Sequence, residues 1–423
     1  MMTTTLPYRD YNPDTDLQPL LQIFREIGWL PEGNKNSEKA QALYLEAGRS
    51  LVADVNGTPE CLVSNHDASL RYQNTDLPLC IIGGVATSRV ARKQKLASRL
   101  TAQAIALDVI ERGHTVAALG MFEQGYYDRL GFGTGPYVHF CRFDPTLLDI
   151  DVEPRVPIRL TDEDFEQVHQ GRLNRLLPHG ACSIHHPEVT HADMLTRSNR
   201  FALGYADPDT GQLTHHLCGC TGNVHSGPYD IKWLAYRTRE EFLELLALLK
   251  SLGDQVTSVT IPEPSGVQMQ DLIKTPFRRR SISMKGESET GVRAIAFWQL
   301  RICDLPAVLG KTHVPTSDAV TFNLSLRDPI TKYLDDETKQ KWPGVGGEYR
   351  VTLGKESHAE LVGPDSGLPT LKTSVNTFTR LWLGVQRATG LAFTCPDLDA
   401  PESLLTQLDH VLCLPQPCVD WMF

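Results

Sequence analysis

Apolar residues in the N-terminal third of the chain switch between helical and strand periods. Spacings of three and four residues predict helices in DLQPLLQIFREIG and near SEKAQALYLEAG. Alternating patterns predict strands in SLVADV, ECLVSN, ASLRYQ and LCIIGGVAT, with Asn56-Gly57 as the turn between the first two strands. This part of the chain is therefore predicted to contain helices and a sheet in one unit.

The segment after LCIIGGVAT predicts a longer helix with one apolar face, which ends near Gly113. The residues of that face are Leu96, Leu100, Ala104 and Leu107. A strand in TVAALGMF and a short helix in GYYDRLGFG, stopped by a glycine, follow. This order predicts an α/β unit, first antiparallel and then parallel, over residues 1–150.

Two further units are predicted beyond the proline-rich and acidic stretch DPTLLDIDVEPRVPIRLTDEDF. Residues 151–291 repeat the element order of the first unit, with strands in LCGCTGNV, YDIKWLAYR and SVTIPEP and a helix in REEFLELLALLKSLG. Residues 292–423 open with FWQLRICDLPAVLG and alternate strands with a helix near TFTRLWLGVQRATG, an α+β pattern. The chain is thus predicted to have three domains.

Composition narrows the classes of protein. A net charge of −10 over 423 residues argues against general binding to nucleic acid or to anionic membranes. No apolar run is long enough for a membrane span, and the N-terminus lacks the pattern of a signal peptide. Ten dispersed cysteines are too dilute for a disulfide scaffold, so we expect a reducing cytoplasmic setting.

A basic cluster is the first candidate for chemistry. In GGVATSRVARKQKLASRL, Arg92, Lys93 and Lys95 lie where a strand ends and a helix begins. Unpaired amides at a helix start and nearby cations suit a phosphate or diphosphate. The spacing is neither a Walker loop nor G-x-G-x-x-G, and a solvated basic helix start is the alternative interpretation.

A second motif one strand later carries a resemblance. GVAT…R-x-x-x followed by GYYDRLGF resembles the coenzyme A loop and the next block of the Gcn5-related N-acetyltransferase (GNAT) superfamily. The whole chain resembles the Eis (enhanced intracellular survival) family, because the second unit lacks the basic turn, FWQLRICDLPAVL opens the third, and the chain ends in DWMF. That resemblance implies tandem GNAT domains followed by a sterol-carrier-like domain.

The resemblance also implies a site that binds acetyl-CoA as cosubstrate and contains no metal. The coenzyme-binding positions that it implies are Val85, Ala86, Thr87, Arg92, Lys93, Gln94, Lys95, Leu96, Ala97, Ser98, Phe122 and Glu123. Tyr127 matches the general acid, with Tyr126 in its place if the alignment slips by one residue. The α-carboxylate of Phe423 matches the general base.

The resemblance implies acetylation of primary amines, such as aminoglycoside-like polyamines or lysine side chains, in a large acidic cleft. It also implies a homo-oligomer, a hexamer made of two trimers. Two positions depart from the family: Lys95 replaces the loop glycine, and Arg89 replaces a proline. These departures keep open the alternative of a degenerate scaffold that binds a ligand or partner without turnover.

Two histidine-containing stretches carry weaker signals. HHLCGCTGNVH brings His215, His216, Cys218, Cys220 and His225 close in sequence, but C-x-C within a predicted strand is not the spacing of a zinc site. SIHHPEVTH is interpreted as a polar loop, and FRRRS as a surface charge run. We therefore expect no metal at either stretch.

Overall fold

The computed structural model describes residues 8–121, 123–196, 199–222, 226–276, 289–315 and 319–422. Two of the expected site residues, Phe122 and Phe423, lie outside these ranges, as do His225 and the FRRRS run at 277–281. Every structural statement below concerns the described residues.

The strands of the described residues form three sheets. In chain order they are β1 (Tyr8–Asp10), β2 (Arg49–Val55), β3 (Thr58–Tyr72), β4 (Thr75–Thr87), β5 (Val116–Gly120), β6 (Gly133–Thr134), β7 (Val138–Phe143), β8 (Ile158–Leu160), β9 (Cys182–Ile184), β10 (Arg200–Ala206), β11 (Leu213–Thr221), β12 (Tyr229–Ala235), β13 (Val259–Pro262), β14 (Gly291–Ile295), β15 (Trp298–Ile302), β16 (Val320–Arg327), β17 (Gly347–Leu353), β18 (His358–Leu361) and β19 (Thr370–Ser374).

The helices lie between these strands. They are α1 (Pro13–Glu26), α2 (Lys35–Glu46), α3 (Leu96–Arg112), α4 (Gln124–Asp128), α5 (Phe165–Leu173), α6 (Pro187–Leu195), α7 (Arg239–Ser251), α8 (Leu305–Leu309), α9 (Asp336–Lys341), α10 (Val375–Trp382), α11 (Ala388–Thr394) and α12 (Glu402–Val411). Short 3-10 turns occur at Pro145–Leu147, Asp162–Asp164, Met269–Leu272 and Pro329–Lys332.

The sheets define a mixed α/β fold. The first has the order β1-β2-β3-β4-β5-β15-β6, with β9 paired to β3. The second has the order β14-β7-β13-β12-β11-β10-β8, and the third β18-β17-β16-β19. One apolar core cluster contains Leu79 of β4, Phe322 of β16 and Trp421 near the C-terminus, so the first and third sheets share a core with the tail.

Strands are exchanged between units along the chain. The strand β15, expected to open the third unit, lies between β5 and β6 in the first sheet, with Leu300 opposite Ala118. The strand β7, from the first unit, pairs with β13 and β14 in the second sheet. The expected boundaries at residues 150 and 291 therefore do not coincide with the limits of the sheets, and the three-domain division stays a prediction.

Local predictions succeed where the pattern is strong. The helix α3 buries Leu96, Leu100 and Ala104 and ends at Gly113, whose φ of 69° is left-handed. The strands expected in ECLVSN and ASLRYQ are one strand, β3, because no glycine or proline interrupts the pattern between them. The helix expected in TFTRLWLGVQRATG is two helices, separated at Gly384 with φ of 76°.

Candidate active site

The strand β4 separates from its neighbour β5 near its end. The two strands pair in parallel from Leu79 to Ile82, whereas β3 stays paired with β4 as far as Thr87. The register shifts opposite this point, and Gly84 has a φ of 58°. Val85, Ala86 and Thr87 consequently present an edge without a strand partner on the β5 side, where an extended ligand can pair with the backbone.

The loop after β4 exposes cations directly before the start of a helix. Arg92, Lys93, Gln94 and Lys95 are exposed. The first helical bond of α3 runs from the Arg99 N–H to the Lys95 carbonyl. The amides of Leu96, Ala97 and Ser98 lie before that first bond, at the helix start. In the described part of the chain, no side chain caps the helix. This is the arrangement that binds phosphate groups at a helix start.

Lys95 adopts the backbone conformation that glycine favours. Its φ is 62° and ψ is 18°, and Lys93 has a φ of 63°. Its side chain is exposed and does not enter the core. The lysine therefore preserves the loop geometry at the cost of left-handed strain, about 1–2 kcal/mol.

Two adjacent tyrosines on α4 lie close to the start of α3. The Ser98 hydroxyl donates to the Tyr126 hydroxyl at 3.1 Å, and Tyr126 is half-buried. Tyr127 is only 3% exposed and belongs to the same core cluster as Leu96. Burial raises the pKa of Tyr127 well above its ordinary value. Glu123 accepts a hydrogen bond from the Gly125 N–H at 3.1 Å, so its carboxylate caps α4.

The C-terminal tail is anchored on α5 and on the residues that follow it. Trp421 is 1% exposed, and the Arg172 guanidinium lies 3.5 Å from its ring centroid. Asp420 accepts two hydrogen bonds from Arg175, at 2.5 and 2.6 Å. The position of Phe423 lies outside the described residues, but its two predecessors are in contact with the fold.

Packed helices connect this anchor to β4, because α5 packs on α6 and α6 packs on α2. Arg172 donates to the Asp193 carboxylate at 3.0 Å. Burial, reinforced by the charge of Asp193, raises the pKa of Tyr44. A side chain at Gly83 would collide with the Tyr44 hydroxyl, so this tyrosine of α2 lies against β4 where the gap opens. The sequence pattern indicated neither Tyr44 nor Arg172, and it marked Trp421 only as part of the terminal DWMF, because their positions depend on contacts between distant segments.

A cavity of about 600 Å³ borders the tail on the second sheet. Met422 lines it together with residues of β7, β12 and β14. Its charged lining residues are Arg142, Lys232, Arg293, Asp230 and Glu289. Cations outnumber carboxylates there, so this cavity is not the acidic cleft that the family resemblance implies.

The described ranges meet neither the requirements of a metal site nor those of a membrane-spanning helix. No group of three His, Cys, Asp or Glu side chains within them is arranged to hold a metal ion. His215 bonds to Glu244 at 3.1 Å, and His216 is fully buried. Among the helices of the described ranges, none has the length and apolarity to cross a bilayer.

Comparison with known proteins identifies the class. Residues 9–135 match the model of the family described as the acetyltransferase (GNAT) domain. The match includes β4, the basic loop, α3 and both tyrosines of α4. The chain therefore carries an acetyltransferase domain of the GNAT type and is an acetyltransferase of that class. No curated protein sequence matches the chain.

Solved structures share the fold over nearly the whole chain. Eis1 from Mycobacterium abscessus is 15% identical with a TM-score of 0.72, covering 98% of this chain and 99% of its own. A GCN5-related N-acetyltransferase from Anabaena variabilis is 13% identical with a TM-score of 0.75, covering 98% and 99%. A "Probable N-Acyltransferase" from Enterococcus faecalis is 16% identical with a TM-score of 0.76, covering 99% and 100%. At these identities the likeness is one of fold.

Proposed function

We propose that this protein is an Eis-like acetyltransferase that uses acetyl-CoA to acetylate primary amines. The observation that carries the proposal is the gap beside β4, followed along the chain by a helix start at which the amides of Leu96, Ala97 and Ser98 precede the first helical bond. The strand edge suits the pantetheine amides, and the helix start suits the diphosphate of the same coenzyme. The exposed side chain of Lys95 leaves that path open.

The chemistry requires three proton and charge movements. The amine nitrogen attacks the thioester carbon, the new C–N bond forms, and the C–S bond breaks as thiolate leaves. A backbone N–H at or near Val85 polarises the carbonyl oxygen. Tyr127 donates its phenolic proton to the departing thiolate. Burial raises the pKa of Tyr127, so the phenol is protonated at neutral pH but is a weaker acid than a free tyrosine.

The base in this proposal is the terminal carboxylate of Phe423. Trp421 is anchored on Arg172 of α5, α5 packs on α6, and α6 packs on α2, whose Tyr44 lies against β4. This packing supports a tail that ends near the coenzyme. A free α-carboxylate has a pKa of roughly 3.5 and is therefore a weak base towards an ammonium group. It removes the proton when burial raises its pKa or when a water molecule relays the proton.

The acceptor in this proposal is a primary amine of one of the two classes implied by the family. These are lysine side chains of peptides, which carry carbonyl and carboxylate groups around the amine, and aminoglycoside-like polyamines, which are cationic throughout. Tandem GNAT units, a sterol-carrier-like third unit, a cytoplasmic homo-oligomer and a hexameric state are further parts of this proposal.

The test is release of free coenzyme A thiol from acetyl-CoA with a panel of lysine peptides and polyamines. We expect Tyr127→Phe to lower kcat by about 100-fold or more with little change in the KM for acetyl-CoA, within the range for general acids. The matched control is Tyr126→Phe, which removes the neighbouring hydroxyl and is expected to leave most of kcat. Deletion of Phe423 is expected to lower kcat more than coenzyme affinity.

Each contrary result has a distinct meaning. Coenzyme binding without thiol release on any amine would support the non-catalytic scaffold instead. A larger loss in Tyr126→Phe than in Tyr127→Phe would transfer the acid role to Tyr126. Equal loss of kcat and affinity on deleting Phe423 would assign the tail to folding.

A further inference from the structure

A second cavity lies between α4 and the C-terminal part of the chain. Its volume is about 670 Å³, which is in the range for small-molecule sites and larger than a lone phosphate needs. From the acetyltransferase domain it is lined by Asp128 and Arg129, among others. From the C-terminal part it is lined by Lys332, Tyr333 and Arg380, among others.

The cations of this cavity are poorly neutralised. Within the described ranges, Arg129, Lys332 and Arg380 make no ion pair with a carboxylate, and the Nε of Arg380 is buried without a hydrogen-bond partner. Arg327 lies 3.8 Å from Asp397. The other lining carboxylate, that of Asp128, accepts from the Gln299 amide at 2.7 Å and interacts electrostatically with Arg380. The lining thus holds four cations and two carboxylates, and this excess of cations in a chain of net charge −10 indicates an anionic ligand.

This cavity is one side chain away from the proposed diphosphate site. Ser98, in the first turn of α3, donates to Tyr126, and the Arg129 guanidinium lies 5.4 Å from the ring centroid of the same tyrosine. Tyr126 therefore separates the free amides of α3 from Arg129. On the far side, Tyr333 packs at the edge of the core cluster that contains Tyr127, and Lys332 precedes it.

We propose that this cavity binds the adenosine 3′-phosphate end of coenzyme A, so that the C-terminal part of the chain contributes to coenzyme selection. The inference rests on the proposed function. Coenzyme A carries a third phosphate that a single ribose separates from its diphosphate. Lys332 and Arg129 bind that phosphate, and the ring of Tyr333 offers a surface for the adenine base.

The experiment compares coenzyme A with 3′-dephospho-coenzyme A by calorimetric titration of the full chain. We expect the protein to bind coenzyme A at least tenfold more tightly, since a charge-assisted contact is worth about a factor of ten or more. Lys332→Gln is expected to remove most of this preference by weakening only the 3′-phosphorylated form. Arg129→Gln is expected to act in the same direction.

The matched control is Lys355→Gln, an exposed lysine between β17 and β18 outside the cavity, which is expected to retain the full preference. Equal affinity for both ligands in the unchanged protein would overturn the proposal. So would a preference that survives both Lys332→Gln and Arg129→Gln, because the phosphate would then bind elsewhere. Failure to bind either ligand would instead reject the proposed coenzyme site, which separates the two failures.

Discussion

At residue 95 a lysine adopts a backbone conformation that glycine favours. The sequence showed the substitution but could not show whether the chain would keep the left-handed angles or reorganise the loop. In the structure, the backbone of Lys95 has the left-handed angles, with a φ of 62°. The loop geometry is therefore set by the surrounding strand and helix rather than by the residue type at this position.

This conformation makes Lys95→Gly a stabilising substitution. Glycine relieves left-handed strain of about 1–2 kcal/mol, partly offset by its greater chain entropy when unfolded. We expect a net gain of about 0.5–1 kcal/mol in the free energy of unfolding, measured by urea denaturation. Gln94→Gly is the control, because Gln94 is exposed in the same loop and has no positive φ. This variant is expected to show no gain in the free energy of unfolding. A loss of stability in Lys95→Gly would contradict the assigned angles.

A buried histidine gives the protein a pH-dependent stability. His216 is fully buried, and burial lowers its pKa to about 3. The unfolded chain takes up a proton near pH 6.5 whereas the folded chain does not, so stability falls as the pH decreases from 6.5 to 4. We expect His216→Leu to reduce that fall by about 3 kcal/mol, measured by urea denaturation at the two pH values.

The exposed His358 provides the comparison for this prediction. His358→Leu is expected to leave the fall in stability between pH 6.5 and 4 as it is in the unchanged protein. An unchanged fall in His216→Leu would show that other groups cause the pH dependence.

Among the elements, α3 and β15 differ in how far the sequence predicts them. The helix α3 follows from local signals, namely Leu96, Leu100 and Ala104 on one face and Gly113 at its end. The strand β15 was recognised as the start of a new segment, but its place between β5 and β6 depends on partners about 180 residues earlier, which local periodicity cannot encode. The candidate site residues on α3, β4 and α4 could be named from local motifs and stay predictions, whereas the position of Tyr44 and the contacts of the tail depend on residues distant in sequence.

A buried ion pair fixes β15 to the third sheet. Arg301 of β15 and Asp328 after β16 are both fully buried, 2.7 Å apart. Asp328→Asn leaves the guanidinium without a counter-charge, so we expect a loss of about 3–5 kcal/mol in the free energy of unfolding. The exposed pair of Arg350 and Glu360 is the control, and Glu360→Gln is expected to cost less than about 1 kcal/mol. Similar losses in the two variants would contradict this assignment.

For the whole molecule, the exchanged strands decide which pieces can fold. The acetyltransferase domain matched at residues 9–135 needs β15 between β5 and β6, and β7 of the same region belongs to the second sheet. The first sheet is therefore incomplete in any N-terminal fragment that ends before residue 302.

The stability of an N-terminal fragment depends on whether β5 needs β15 as its partner. We expect residues 1–150 alone to be aggregated or largely unfolded, because β5 exposes an unpaired apolar edge. Co-expression with residues 151–423 is expected to restore a soluble complex with bound coenzyme. Circular dichroism and sedimentation of the fragment measure the outcome. A monomeric fragment with a cooperative thermal transition would mean that the N-terminal sheet closes without β15.

The order of synthesis on the ribosome gives this exchange a further consequence. The last residue of β5 is Gly120, and the partner that flanks it begins at Trp298. At about 5–20 residues per second, a nascent chain holds that edge open for roughly 10–35 s. During this interval the emerging polypeptide depends on chaperones or on its own later strands to avoid intermolecular pairing, so the first sheet closes only after residue 302 has been synthesised.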